Sequence, residues 1–425
     1  MRMAIKQGGN WRSFRHHNYR MLFPANTVSN IGSWAQRVAQ DWLVLELTNN
    51  NGTYLGLVTA VQFAPVLFLS LHGGVLADRL DKRKVLIATN LVGGATSIGL
   101  GLLVINDAVA LWHVFALAGV LGIATAIDAP VRQAFSSELV GAEDLPNAVS
   151  LNSANFNAGR LVGPAISGFL IAAFGTGPSF LINGASYFFV IFALVKIDVT
   201  TLFHQNQEKS MGNIREAIAY VRARPDIYVV MIMVFALSTF GLNFQIFNAL
   251  MATQEFGLGP ASFGLMGTFV AIGSLSGAIG SARLERLRTT RFVIIGGVFF
   301  SISIMALSLL PNYMTYVLWL PICGLTALTT LVSANSIVQT STDQAIRGRV
   351  MGLYLFIFMG GAPFGSPLIG LAADYIGIRY TIAVCGGLAL AASLFVWIKY
   401  RDRVGVPEDV SIAAVLKTTD SDHNN

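Results

Sequence analysis

Five polar side chains interrupt one long apolar stretch at intervals of four, three, four and four residues: Asn26, Asn30, Ser33, Arg37 and Asp41. At 3.6 residues per turn, that spacing puts all five on one helical face. Such a face cannot look into hydrocarbon, so it turns toward a cavity or another polar helix. Arg37 and Asp41 are four apart and can pair directly. An aspartate at membrane depth costs about 2.5–3.5 kcal/mol on insertion scales, which favours its retention for a task. Burial and a neighbouring guanidinium pull its proton affinity in opposite directions, and that balance is what a proton-coupling site requires. A structural ion pair that fixes helix packing is the other reading of the same two residues. Arg160 is a second charge within apolar sequence. It can pair with Asp41, meet an anionic substrate or snorkel to the interface near the end of its helix.

These residues need membrane helices to hold them, and the composition supplies them. The chain has 425 residues, 54% hydrophobic and 12% charged, with mean hydropathy +0.62, whereas a soluble domain carries about 25% charge. Apolar runs of about 20 residues recur along nearly its whole length. They fall at roughly 21–47, 52–76, 84–106, 110–133, 147–173, 177–196, 226–252, 261–282, 292–310, 315–338, 350–373 and 378–399. The expected fold is therefore an all-α membrane protein of twelve transmembrane helices. With the N-terminus in the cytoplasm, every Lys and Arg falls in cytoplasmic segments except Arg37, Arg160 and Arg379, as the positive-inside rule requires. The net charge of +6 then faces lipid headgroups rather than nucleic acid. No removable signal peptide precedes the first helix, and Cys323 and Cys385 fall within helices ten and twelve, which implies no disulfide framework.

The chain also repeats itself. Gly159, Gly163, Gly168 and Gly175 recur 202 residues later as Gly361, Gly365, Gly370 and Gly377. A constant offset near half the length indicates two copies of one membrane unit. Glycines every fourth residue let a neighbouring helix approach to backbone contact, on which association in lipid depends. The expected organisation is a basic cytoplasmic arm (1–20), a six-helix bundle (21–196), a cytoplasmic linker (197–225), a second six-helix bundle (226–402) and a polar, disordered cytoplasmic tail (403–425). Within the linker, Ile214, Ile218 and Val221 recur at helical spacing among Arg215, Arg222 and Arg224. That describes an amphipathic helix on the inner membrane face, ended by Pro225. In the second half, Gly241, Gln245 and Asn248 share a face of helix seven, the counterpart of helix one, and are candidate lining residues.

Between helices two and three the sequence reads Gly74-Val75-Leu76-Ala77-Asp78-Arg79-Leu80-Asp81-Lys82-Arg83-Lys84. This resembles the signature loop of the major facilitator superfamily: Gly, three residues, Asp-Arg, one residue, Gly, then basic residues. Asp81 occupies the place of the second glycine. Leu284-Glu285-Arg286-Leu287 is a degenerate echo of it. Gly159-Arg160-Leu161-Val162-Gly163-Pro164-Ala165-Ile166-Ser167-Gly168 resembles the antiporter signature of helix five in that superfamily's exporters, with Ser167 in place of the first of the paired glycines. Gln36 to Thr48, Pro130 to Phe135, Asp144 to Ala148 and Arg347 to Gly352 are similar to the branch that includes the enterobactin exporter and macrolide-efflux-like proteins.

The resemblance implies two six-helix bundles around a central cavity and secondary active export by exchange across a bacterial cytoplasmic membrane. The chain is expected to export an amphipathic small molecule, a drug, siderophore or similar metabolite, driven by inward proton movement. Asp41 binds the proton, Arg37 tunes it, and Asp78-Arg79 helps latch the outward-facing state, with Lys82 and Arg83 in the same loop. Asn26, Asn30, Ser33, Arg160, Gln245 and Asn248 are the cavity candidates, and Gly159, Gly163, Pro164 and Gly168 form the antiporter motif. The partners are the substrate, protons and membrane lipid. The alternatives are a lysophospholipid or other lipid flippase, an importer, and a non-transporting membrane sensor. No phosphate-binding loop for ATP, no metal-ligand spacing and no catalytic constellation appears in the sequence, so neither a cofactor nor an enzyme activity is expected.

Overall fold

The computed structural model describes residues 11–203, 214–284, 288–344 and 346–400, without the side chains of 70–79 and 282–283. The arm before Trp11, the tail from Arg401, and Glu285, Arg286 and Leu287 of the echoed loop lie outside the described residues. The described residues are 90% helical. Ten helices are long and apolar enough to cross a membrane by length and composition. In order they are α2 (Gly52–Arg79), α3 (Lys82–Ile105), α4 (Leu111–Phe174) and α5 (Gly177–Val195), then, after the short linker helix α6 (Ile214–Ala223), the span Pro225–Glu255, followed by α9 (Pro260–Arg283), α10 (Thr290–Leu309), α11 (Tyr313–Ser341), α12 (Arg347–Ile376) and α13 (Ile378–Tyr400).

Two features reconcile this with twelve. α4 is two spans in one 64-residue helix, broken where Gly141 takes φ 70°, ψ 175°. Only glycine enters that conformation at no cost, and a side chain there would also meet the Phe203 ring. The other is α1 (His17–Leu47), which fails the hydropathy test because its polar face dilutes its apolar one. The expected helix seven proves to be interrupted. It comprises α7 (Pro225–Ala236), a π turn (Leu237–Gly241), α8 (Phe244–Leu250) and a second π turn (Met251–Glu255). Asn243 bridges the first break, donating to Thr239 O at 2.8 Å and accepting from Ser366 Oγ at 3.1 Å. Backbone groups freed at membrane depth need such partners.

By contact grouping the chain divides into Met1–Gln207 with Ala252–Thr268, and Glu208–Met251 with Phe269–Asn425. The start of α9 thus groups with the first unit, a division a single cut in the linker does not anticipate. The glycine repeat is realised within each unit. In the first, the second limb of α4 lies so close to α1 that a Cβ on Gly163 would stand 2.6 Å from Trp34 Cβ and 2.9 Å from Ile31 O. In the second, one on Gly365 would stand 2.3 Å from Thr239 O. Gly175 and Gly377 close α4 and α12 at φ 76° and 83°, the left-handed ends that favour glycine.

Side chains also cap helix ends. Asp81, standing where the signature loop has its second glycine, is the N-cap of α3 and accepts from Lys84 N at 3.2 Å, so its replacement of glycine has a local reason. Arg379, set apart by the charge count, donates to Ser308 O at 3.1 Å and Leu310 O at 2.6 Å, holding the end of α10. Cys323 and Cys385 are free and buried.

The seams make a direct prediction. Gly163→Leu and Gly365→Leu should each destabilise the purified protein by about 1–3 kcal/mol through overpacking. Gly280→Leu, at a position with open space, should leave the melting temperature in detergent within about a degree of wild type.

Candidate functional site

The polar face of α1 divides along its length. Its first part turns to α4. Asn26 accepts from Arg132 Nη1 at 2.7 Å, and Arg132 also grips Asp128 through Nε at 2.7 Å and Nη2 at 2.9 Å. Thr89 and Asn90 of α3 donate to the same carboxylate at 2.7 and 3.3 Å. Asn30 donates to Asn155 O at 2.7 Å, and a side chain at Gly159 would collide with it. Ser33 hydrogen-bonds Tyr187 of α5. These contacts lace α1 to α3, α4 and α5.

The second part holds the charges. Arg37 lays its guanidinium over Trp34, 4.8 Å from the ring centroid, and over Phe63 of α2 at 5.0 Å. Asp41 is buried, 4% exposed, and attracts Arg37. Arg160, beside Gly159 on the seam, lies close enough to Arg37 for the two positive charges to act on each other. Trp34 also packs edge-on against Phe156, centroids 5.5 Å apart. The structure thus places Arg37 on Trp34, with Asp41 and Arg160 within its electrostatic reach.

Sequence reasoning missed the Asp128–Arg132 pair, though its i, i+4 spacing inside a span is the same signal that flagged Arg37 and Asp41. It also missed Gln36 and Gln40. Gln36 accepts from Asn183 at 2.6 Å, and Gln40 donates to Gln62 at 3.0 Å. They too are four apart, one residue before each charge, and were absorbed into the resemblance rather than read as a second polar row.

Further along the second limb of α4 the motif meets a different neighbour. A Cβ on Gly168 would stand 2.8 Å from Pro260 O, and one on Gly267 would stand 3.0 Å from Pro164. Thr268 Oγ1 donates to Leu161 O at 3.2 Å. Ser167 is fully buried, small enough for this packing.

In the segment running from the end of α2 into α3, Gly74, Asp78 and Arg79 have side chains outside the described residues. Lys82 pairs with Glu138 at 2.7 Å. Arg83 donates to Leu194 O and Val195 O, both at 2.7 Å, capping α5. The segment before α1 docks on the turn around Gly141. Asp144, its side chain fully buried, receives Arg15 Nε at 2.6 Å and lies 2.8 Å from His16 Nε2. Burial alone would raise the Asp144 carboxyl, but His16 and the Arg15 guanidinium hold it below the usual carboxylate range.

The second unit is built differently. Gln245 is half-buried, while Asn248 is fully buried and accepts from Tyr316 Oη at 3.1 Å, turned toward α11. The span Pro225–Glu255 carries no charged side chain between Asp226 and Glu255. α6 docks by a Glu216–Arg349 ion pair.

This architecture is that of the major facilitator superfamily. A bacterial homologue of the human lysosomal transporter Spinster, inward-facing and unoccupied, superposes with TM-score 0.72 at 14% identity, covering 95% of this chain and all of that one. A D-xylose–proton symporter does so at 0.71, also 14% identical, covering 89% and 97%. At such identity these show the fold. The family described as transmembrane secretion effector matches residues 8–418, and the chain belongs to it. Similar proteins are the staphyloferrin A transporter of Staphylococcus aureus (23% identical, 86% of this chain and 92% of the relative), the enterobactin exporter EntS of Citrobacter koseri (23%, 84% and 85%) and the multidrug efflux pump Tap of Mycolicibacterium fortuitum (25%, 85% and 90%). The chain is a multi-pass membrane transporter and not an enzyme.

Two predictions arise here. Asp128→Asn or Arg132→Gln leaves a half-buried charge without its partner. Each alone should cost about 1–2 kcal/mol after allowing for solvent screening at 20% and 32% exposure, and the double variant should recover part of that in detergent melting curves. The second concerns acid. The lowered Asp144 contributes stability that is complete above about pH 3.9, the ordinary aspartate value, and is lost as pH falls through the lower folded value. Hydrogen exchange in residues 11–20 should therefore be flat from pH 5 to 8, after correction for intrinsic rates, and rise only in stronger acid. Asp144→Asn should raise it at every pH.

Proposed function

We propose that the chain is a secondary active exporter of an amphipathic small molecule, working by alternating access in exchange for protons. It lies in a bacterial cytoplasmic membrane with both termini in the cytoplasm, the orientation that the distribution of Lys and Arg favours. The names of its relatives support a siderophore-like or drug-like cargo.

One observation carries the reading of the coupling. The charged side chains deep within helix one and the second limb of α4, Arg37, Asp41 and Arg160, all belong to the first unit. The counterpart of α1 in the second unit has neutral polar groups in their place. Placement in one copy supports a task performed once per cycle, such as binding a coupling ion. Asp41, the buried acid beside Arg37, is the proton-binding group, and Arg37 competes with the proton for its charge. Aromatic Trp34, Phe63 and Phe156 give an amphipathic cargo apolar surface beside these charges.

Export in inverted vesicles should be screened with cationic, neutral and anionic dyes (ethidium, Nile red and carboxyfluorescein), with and without a protonophore. Asp41→Asn should reduce gradient-driven transport at least about tenfold while leaving dye-for-dye counterflow in place. Uphill export at full rate in the variant rejects the Asp41 assignment, and wild-type export that ignores the protonophore rejects proton exchange.

A further inference from the structure

Arg160 has no packing reason to be an arginine. Its position in the second copy, 202 residues on, is Ala362, and there the flanking Gly361 and Gly365 still seat α12 against Ser238 and Thr239. The chain thus contains its own control: the seam forms without a charge. Arg160 is only half-exposed, and among the described residues it makes no hydrogen bond or ion pair. Its chain neighbour Gly159 is pressed against Trp34, where a Cβ would stand 3.1 Å from Cδ1, and that ring carries the Arg37 guanidinium at 4.8 Å, so Arg160 lies within the electrostatic reach of Arg37. Two positive charges thus lie on the two helices of a backbone-tight seam, and Arg37 is attracted by the Asp41 carboxylate.

We propose that Arg160 is the positioning residue through which proton binding at Asp41 acts on the second limb of α4. With Asp41 ionised, Arg37 is drawn along α1 toward it and the repulsion across the seam is damped. A proton arriving from the outer side binds the Asp41 carboxylate oxygen and cancels that attraction. Arg37 and Arg160 then oppose each other undamped at low dielectric, where like charges interact most strongly, and the seam loosens. Because the same limb packs at Gly168 and Leu161 on residues 260–268, its displacement reaches the start of α9. The inference rests on Asp41 being the proton site.

The charged and titratable side chains on and around α1 also include His17, Tyr19 and Arg20 in its first turns and Glu255 in the part of the first unit formed by residues 252–268. Glu46 accepts from Trp42 at 2.8 Å on the same helix. Asp128 and Arg132 of α4 pair with each other and reach α1 at Asn26. Tyr187 of α5 meets Ser33, and Asp144 is held by Arg15 and His16. The described side chains of α2 add only Tyr54.

The test uses the full chain in nanodiscs. Spin labels at Val28→Cys and Val162→Cys, on exposed positions of α1 and the second limb, with Cys323→Ser and Cys385→Ser, report the seam between pH 8 and pH 5. Wild type should show an increase in label separation of about 2 Å on acidification. Asp41→Asn should be fixed near the acid value and Arg160→Gln near the alkaline one, while Arg160→Lys, which keeps the charge, should restore the response. A pH response retained in Arg160→Gln overturns the role of Arg160 and leaves proton exchange standing. A wild type that does not respond overturns the proton reading itself. Failure of Arg160→Lys to restore the response points to a need for the guanidinium by an anionic ligand and overturns the proposal. Dye export adds an independent check: Arg160→Gln should lose protonophore-sensitive export of Nile red and carboxyfluorescein alike, whereas loss confined to carboxyfluorescein overturns it.

Discussion

The contact on which this structure depends is the seam of α1 and the second limb of α4, where Gly159 and Gly163 bring one helix within contact distance of the other's backbone. In lipid there is no apolar surface to hide from water, so helices associate by close packing and internal hydrogen bonds. The seam supplies both. It sets the depth at which Asn30 reaches Asn155 O, and it presents Arg160 to Arg37. A larger residue at either glycine would separate these groups together. Packing and charge chemistry are therefore one constraint in the first unit.

Comparing the two copies separates what the scaffold needs from what the activity needs. Both copies keep the glycine pair and the left-handed glycine that ends the helix. The first lays its glycines on an unbroken helix bearing Arg37 and Asp41. The second lays them on a helix interrupted by two π turns, with Asn243 and Ser366 closing the break. π turns inside helices recur at functional sites, and this one lies against Gly361 and Gly365. Charge in one unit and a broken helix in the other are different specialisations of one ancestral packing.

Much of this was legible in the chain. Spacing of polar residues gave the face of α1, hydropathy gave the spans, and the glycine offset gave the duplication, because each is a periodic or local signal that survives projection onto one dimension. Asp128 and Arg132 were visible by the same i, i+4 rule but were counted only as a cytoplasmic arginine after helix four. The partner choices were not legible. Asn26 joins Arg132, 106 residues away, and Asn248 turns to Tyr316, 68 residues away. Spacing says that a polar side chain needs company but never names the companion.

The sequence by itself determined that this is a helical membrane protein of two related halves, since span length and hydropathy follow from the bilayer's thickness. It determined too that α1 carries a polar face and that the seams are glycine-lined. Tertiary structure alone decided that Arg160 lies within electrostatic reach of Arg37, that Asn30 is bound to α4's backbone, that helix seven is broken, and that the start of α9 groups with the first unit. Those outcomes depend on the rotation and depth of each helix against its neighbours, which are set by contacts between residues far apart in the chain.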